Sequence, residues 1–131
     1  MEKGYNDITV LAIDDINSTL AIIEYTLNKK YNVKTMGTGT EALEWMNEGN
    51  LPDLIICDLH MPEMEGVDFI KHIRASGFFK DIPLLVLSSN ELSSVRIKCL
   101  KAGADDFMVK PFNPEELEAR VDNLLRRTIK V

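Results

Sequence analysis

A doubly wound α/β fold, five parallel strands with five helices packed on both faces, is what this sequence predicts. Two observations carry the prediction: short, near-continuously apolar runs recur along the chain, and longer stretches with helical spacing lie between them. Uninterrupted apolar runs suit strands buried on both faces of a parallel sheet, and joining parallel strands takes crossovers, usually helical. A third observation, capping residues where helices should start and stop, sets the register.

Ile8 to Ile13 forms the first strand, and Ile16, Leu20, Ile23 and Leu27 keep one face of the helix after it. Val33 to Met36 is the second strand. Thr38-Gly39-Thr40-Glu41 reads as a capping box opening the second helix, and Gly49 as its stop. Leu54 to Cys57 is the third strand; the helical pattern behind it carries His72, an ordinary surface or boundary histidine. Leu84 to Leu87 is the fourth strand, followed by a helix that begins near Glu91 and ends at Gly103. Phe107 to Val109 is the fifth. Asn113-Pro114-Glu115-Glu116 opens the last helix, with proline at the position where a missing N–H costs nothing, and Leu117, Val121 and Leu124 keep its buried face.

At 131 residues the chain predicts one domain, 1–131, with a core of about 7–127. Fifteen Lys and Arg against twenty-one Asp and Glu leave a net charge of −6, which opposes capture of nucleic acid or of an anionic membrane. Met1 to Asp7 is polar with no signal-peptide core, and no apolar run approaches the ~20 residues that span a bilayer, so a cytoplasmic protein is expected. Cys57 and Cys99 stand far apart without a Cys-x-x-Cys spacing and read as buried free thiols. Arg126 to Val131 adds no long tail.

In an open α/β sheet, ligands bind outside the carboxyl ends of the strands. Asp14 and Asp15 follow the first strand, Asp58 the third, Ser88 and Ser89 the fourth, and Lys110 the fifth, so distant segments deliver polar groups to one rim. Each residue alone has a plain structural use: the acid pair at a helix N-terminus, either serine as a cap, Lys110 on the surface before Pro111. Together they make a chemical site. Converging carboxylates repel unless a cation compensates, and a donor set of oxygens without a His or Cys cluster selects a hard ion, Mg²⁺ with Mn²⁺ as the substitute. A carboxylate beside such an ion can attack phosphorus to form an aspartyl phosphate, with Lys110 stabilising the transferring oxygens.

These residues resemble the receiver domain of chemotaxis-type, two-component response regulators, over nearly the whole chain. The resemblance rests on the acid pair Asp14-Asp15, the loop Asp58-Leu59-His60-Met61-Pro62-Glu63-Met64-Glu65-Gly66, the segment Leu87-Ser88-Ser89 and the signature Lys110-Pro111-Phe112. The separations, 88 − 58 = 30 and 110 − 88 = 22, also fit. It implies a flavodoxin-like sheet of order 2-1-3-4-5. It implies further that Asp58 is the phosphorylated aspartate, that Asp15 and Asp58 bind Mg²⁺ directly with the His60 backbone carbonyl, and that Asp14 acts through metal-bound water. Ser88 becomes the switch hydroxyl, Lys110 its salt-bridge partner at the phosphoryl group, and Phe107 the aromatic switch residue, or simply a buried strand aromatic. Ser89 stands where the family usually has Ala or Gly, and His60 and Asn90 flank the site at variable positions.

The function this implies is a signalling switch in a phosphorelay, catalysing only its own phosphoryl transfer and slow self-dephosphorylation. A histidine kinase or phosphotransfer protein donates to Asp58, and the face of the fourth helix, fifth strand and fifth helix controls an effector protein or a fused output domain. No direct contact with nucleic acid or membrane is expected. Arg120, Arg126 and Arg127 either pair across a phosphorylation-dependent dimer or form a solvated helix end. Two other classes stay open: a haloacid-dehalogenase-like phosphatase, against which His60 stands where that family carries a second acid, and an interaction module that never takes phosphate.

Overall fold

The computed structural model describes residues 7–128; the polar N-terminal stretch up to residue 6 and the end of the chain from residue 129 lie outside the described residues. Five strands alternate with five helices: β1 Thr9–Ile13, α1 Asn17–Leu27, β2 Asn32–Met36, α2 Gly39–Asn47, β3 Leu54–Asp58, α3 Gly66–Ala75, β4 Leu84–Ser88, α4 Ser93–Ala102, β5 Asp106–Val109 and α5 Pro114–Thr128. All neighbouring strands pair in parallel, in the order β2-β1-β3-β4-β5. The predicted sheet and its order are therefore those of the protein.

Strand alternation divides the core in two. Leu11, Ile13, Ile55, Cys57, Leu84 and Val86 face α2, α3 and α4 in one cluster with Met46, Phe69, Ile73 and Cys99. Val10, Ala12, Leu54, Ile56, Leu85 and Leu87 face α1 and α5 in the other, with Ile23, Leu27, Val121 and Leu125. Both thiols are buried and free. The edge strand β2 departs from the all-apolar expectation: Asn32 and Lys34 are exposed, because a strand paired on one side only keeps part of its surface in water.

The caps work largely as read. Thr38 accepts a hydrogen bond from the Glu41 N–H at 3.0 Å, and Asn113 Oδ1 accepts from Glu115 and Glu116. Two boundaries differ. Ile16 is the residue before α1 and is exposed, so the buried face of that helix begins at Leu20. The fourth helix begins at Ser93 rather than near Glu91, because Ser88 Oγ accepts from the Asn90 N–H and Asn90 Oδ1 accepts from the Leu92 N–H, tying residues 88–92 into two successive side-chain turns.

Gly103 closes α4 at φ +124°, and the Arg74 side chain wraps around it. The Arg74 guanidinium donates to the carbonyls of Gly103 (2.9 Å), Lys80 (3.0 Å) and Ile82 (2.6 Å) and to Asp105 (2.9 Å), joining α3 to the loops before β4 and β5. A lysine keeps the charge but cannot reproduce this planar fork. Arg74→Lys is expected to lower stability by about 1–2 kcal/mol, seen as a reduced urea midpoint with an unchanged m-value.

Candidate functional site

Asp14 and Asp58 are brought together by the pairing of β1 with β3, in which Ile13 lies opposite Cys57. Asp58 and Ser88 are the last residues of their strands rather than the first after them, so the ladder fixes their backbones while their side chains stand at the rim. Lys110 follows β5, where its N–H donates to the Ser88 carbonyl at 2.8 Å. From there its ammonium reaches Asp14 Oδ2 at 2.6 Å and Asp58 Oδ1 at 3.2 Å. Asp14 also accepts from the Ile16 N–H at 2.9 Å, which turns the chain into α1.

Only 1% of Asp14 and 7% of Asp58 is exposed, whereas Asp15 is exposed. Two buried carboxylates against one ammonium leave negative charge in excess. Burial, and next the charge of Asp14, push the Asp58 carboxyl above the usual carboxylate range, and Lys110 only partly offsets them. Burial opposes the Lys110 charge too, but its hydrogen bond to Asp14 and the Asp58 charge outweigh that and hold its pKa above the ordinary lysine value. Because the folded-state pKa of Asp58 is raised, folding favours its neutral form, so above the unfolded pKa its charge costs stability. Asp58→Asn is therefore expected to raise the thermal midpoint by a few degrees at neutral pH in EDTA, against the usual direction of buried substitutions, as differential scanning calorimetry will read.

One carboxylate oxygen each from Asp14, Asp15 and Asp58 lies within 4.8 Å of the others, a cluster that could hold a metal ion. The donor set fits a hard divalent cation: oxygen only, net negative, with one carboxylate facing solvent.

The loop after β3 is shaped by close backbone contact. The Gly66 N–H donates to the Leu59 carbonyl at 2.7 Å, and a Cβ on Gly66 would lie 2.7 Å from the Asp58 carbonyl oxygen and 2.8 Å from Leu59 Cα. Glu63 holds φ +71° within the same loop. The His60 ring is exposed and points at Glu65, Nδ1 to Oε2 3.3 Å.

The family described as the response regulator receiver domain matches residues 10–122. The chain belongs to this family. Among curated relatives, the receiver is 41% identical over 128 residues to the transcriptional regulatory protein PrrA of Mycobacterium tuberculosis, covering 97% of this chain and 54% of that protein. The chain spans about half the length of the curated relatives it matches. The chemotaxis response regulator CheY4 of Vibrio cholerae superposes with a TM-score of 0.83 at 33% identity, over 91% of this receiver and 99% of that chain. The receiver domain of the sensor histidine kinase PA1611 of Pseudomonas aeruginosa, solved with a magnesium ion coordinated in its active-site cleft, superposes at 0.82 with 27% identity, over 92% and 98%. The receiver is thus a signalling module of two-component systems.

Asp14, Asp15, Asp58 and Lys110 meet at the rim of this receiver, and Ser88 is wholly buried on the neighbouring strand. Ser89 is exposed and lines a groove with Thr19 and Phe112. Phe107 is buried in the core cluster that contains Cys99, and His72 is exposed. Two features went unread. One is that the Lys110 ammonium, expected at the phosphoryl group, bridges Asp14 as well as Asp58. The other is the reason for glycine at 66: the sequence signal was its place in the loop motif, but the contact that demands it is purely spatial.

Proposed function

We propose that Asp58 is the phosphoryl acceptor, taking the group from the phosphohistidine of a histidine kinase or a histidine phosphotransfer protein. The observation that carries this reading is the buried Asp58 carboxylate, paired with Lys110 and flanked by Asp14 and Asp15. An Asp58 oxygen forms the new P–O bond as the P–N bond breaks, and the electron pair leaves with the donor imidazole, which takes up a proton. Asp15, Asp58 and the His60 backbone carbonyl would hold Mg²⁺, or Mn²⁺ in its place, with Asp14 acting through water. When bound, that ion supplies neutralisation of charge on the phosphoryl oxygens.

Lys110, already in contact with Asp58, keeps its ion pair as the charge passes to the phosphoryl oxygens. Ser88 donates its hydroxyl to one of them. Since Ser88 Oγ accepts the Asn90 N–H, turning that oxygen toward Asp58 pulls on the loop that leads into α4. Phe107, on the strand beside β4, adjusts with it, and the face of α4, β5 and α5 changes for an effector protein or a fused output domain. Hydrolysis by water slowly returns aspartate and inorganic phosphate, with His60 and Asn90 placed to tune its rate.

In this reading the chain acts as one receiver unit, residues 1–131 with a core of about 7–127, in the cytoplasm. Among the described residues no helix is long and apolar enough to cross a membrane. A phosphorylation-dependent dimer would draw on Arg120, which now pairs with Asp106 and Glu116, and on Arg126 and Arg127.

The experiment is incubation with Mg²⁺ and acetyl phosphate, read by intact mass. One phosphate increment is expected on the protein and none on Asp58→Ala. Labelling that persists unchanged in Asp58→Ala overturns the assignment, and steady turnover of phosphate esters would mark a phosphatase instead.

A further inference from the structure

A second surface stands out against the acidic whole. Between α3 and α4 runs a groove lined by Val67, Lys71, Ile97, Lys98 and Lys101, with no carboxylate among its lining residues, although the chain carries a net charge of −6. Helix geometry places them there: Val67 and Lys71 are four apart on α3, and Ile97 and Lys101 four apart on α4. Over its whole length α4 carries Arg96, Lys98 and Lys101 and no acid. Elsewhere several cations are held by acids, as in Lys30 with Asp122, Arg74 with Asp105 and Arg120 with Asp106. None of the three groove lysines makes a salt bridge among the described residues, all three are exposed, and Ile97 is 49% exposed between them.

We propose that the α3–α4 groove is a docking site for an acidic amphipathic helix of a partner protein. Charge complementarity selects the partner. An apolar strip bordered by lysines accepts leucine-like anchors flanked by Glu or Asp at helical spacing, and the local positive charge draws anions to this groove in a protein that is negative overall. Nucleic acid fits less well: it offers no apolar side chains to Val67 and Ile97, and the net charge of the receiver opposes a polyanion. With ten residues in each helix, the groove is about 15 Å long, room for about three turns of the partner.

The test is fluorescence anisotropy of the full chain with a labelled peptide of about 15 residues, long enough to hold a helix, carrying Leu on one face and Glu beside it. Saturable binding that weakens with salt is expected, and Lys98→Glu with Lys101→Glu should weaken it about tenfold. Because both lysines are exposed, these variants should fold; matched far-ultraviolet spectra and thermal midpoints check it. A control pair of equal net charge elsewhere, Lys29→Glu with Lys34→Glu, should change binding less than twofold. In the wild type, NMR shifts should centre on Val67, Lys71 and Ile97. The proposal is overturned by absence of saturable binding, by equal weakening in the control pair, by a Gln-for-Glu peptide binding as well, or by a DNA duplex binding as tightly as the peptide.

Discussion

Lys110→Ala is expected to cost about 3 kcal/mol in metal-free buffer and to uncouple phosphorylation from any change in the receiver. The side chain touches two acids that are almost fully buried, Asp14 and Asp58. Removing one member of a buried ionic cluster typically costs about 3–5 kcal/mol, because the charge left behind is neither solvated nor paired. Here the loss should fall at the lower end: the Asp58 carboxyl, already pushed above the usual carboxylate range by burial and by Asp14, can take up a proton, which removes the repulsion. The pH dependence follows. The Lys110 pKa is raised in the fold, so its stabilisation is fully present below its unfolded value of about 10.4 and is lost as pH rises through the folded value. In Lys110→Ala this alkaline loss should vanish, while the deficit at neutral pH should shrink on acidification as Asp58 protonates. Urea unfolding across pH reads both. Added Mg²⁺ should recover part of the deficit, since the cation restores positive charge between the carboxylates; a variant as stable as the parent at neutral pH in EDTA contradicts the account.

Gly66→Ala should be destabilising by about 2–3 kcal/mol, although alanine is the better helix former by about 1 kcal/mol. The position opens α3, so propensity alone argues for the substitution. Against it, the new methyl would meet the Asp58 carbonyl oxygen at 2.7 Å and Leu59 at 2.8 and 2.9 Å, all backbone atoms that no side-chain rotation can move aside. Overpacking wins because the obstructing atoms are the backbone of Asp58, the last residue of β3, and of Leu59, which opens the loop after it. Relief requires shifting that backbone, so the phosphorylation rate with acetyl phosphate should fall together with stability. Gly77→Ala is the internal control: no atom beyond its chain neighbours lies within 4 Å of its added methyl, and its unfolding free energy should change by no more than about 0.5 kcal/mol. Equal losses at the two glycines would rule out the steric explanation.

The sheet was legible because burial on both faces leaves a plain mark, a run such as Leu54-Ile55-Ile56-Cys57 with no polar interruption. Edge position is invisible in such a reading, which is why the polar Asn32 and Lys34 fall inside β2. The rim residues were legible for the same reason as the strands: Asp58 stands out only against the apolar run before it. What could not be read were contacts across long separations. The Lys110–Asp14 bond spans 96 positions, and the grip of Arg74 on Gly103 spans 29. Local competition misplaced the start of α4 by about two residues, since side-chain bonds at Ser88 and Asn90 offered the backbone an alternative to the helix.

Those two bonds also bear on kinetics. Ser88 Oγ cannot leave its present position without releasing the Asn90 N–H, and Asn90 in turn holds Leu92. Hydroxyl and loop are therefore expected to cross one barrier together, and exchange measured at Ser88, Asn90 and Leu92 should give a single time constant.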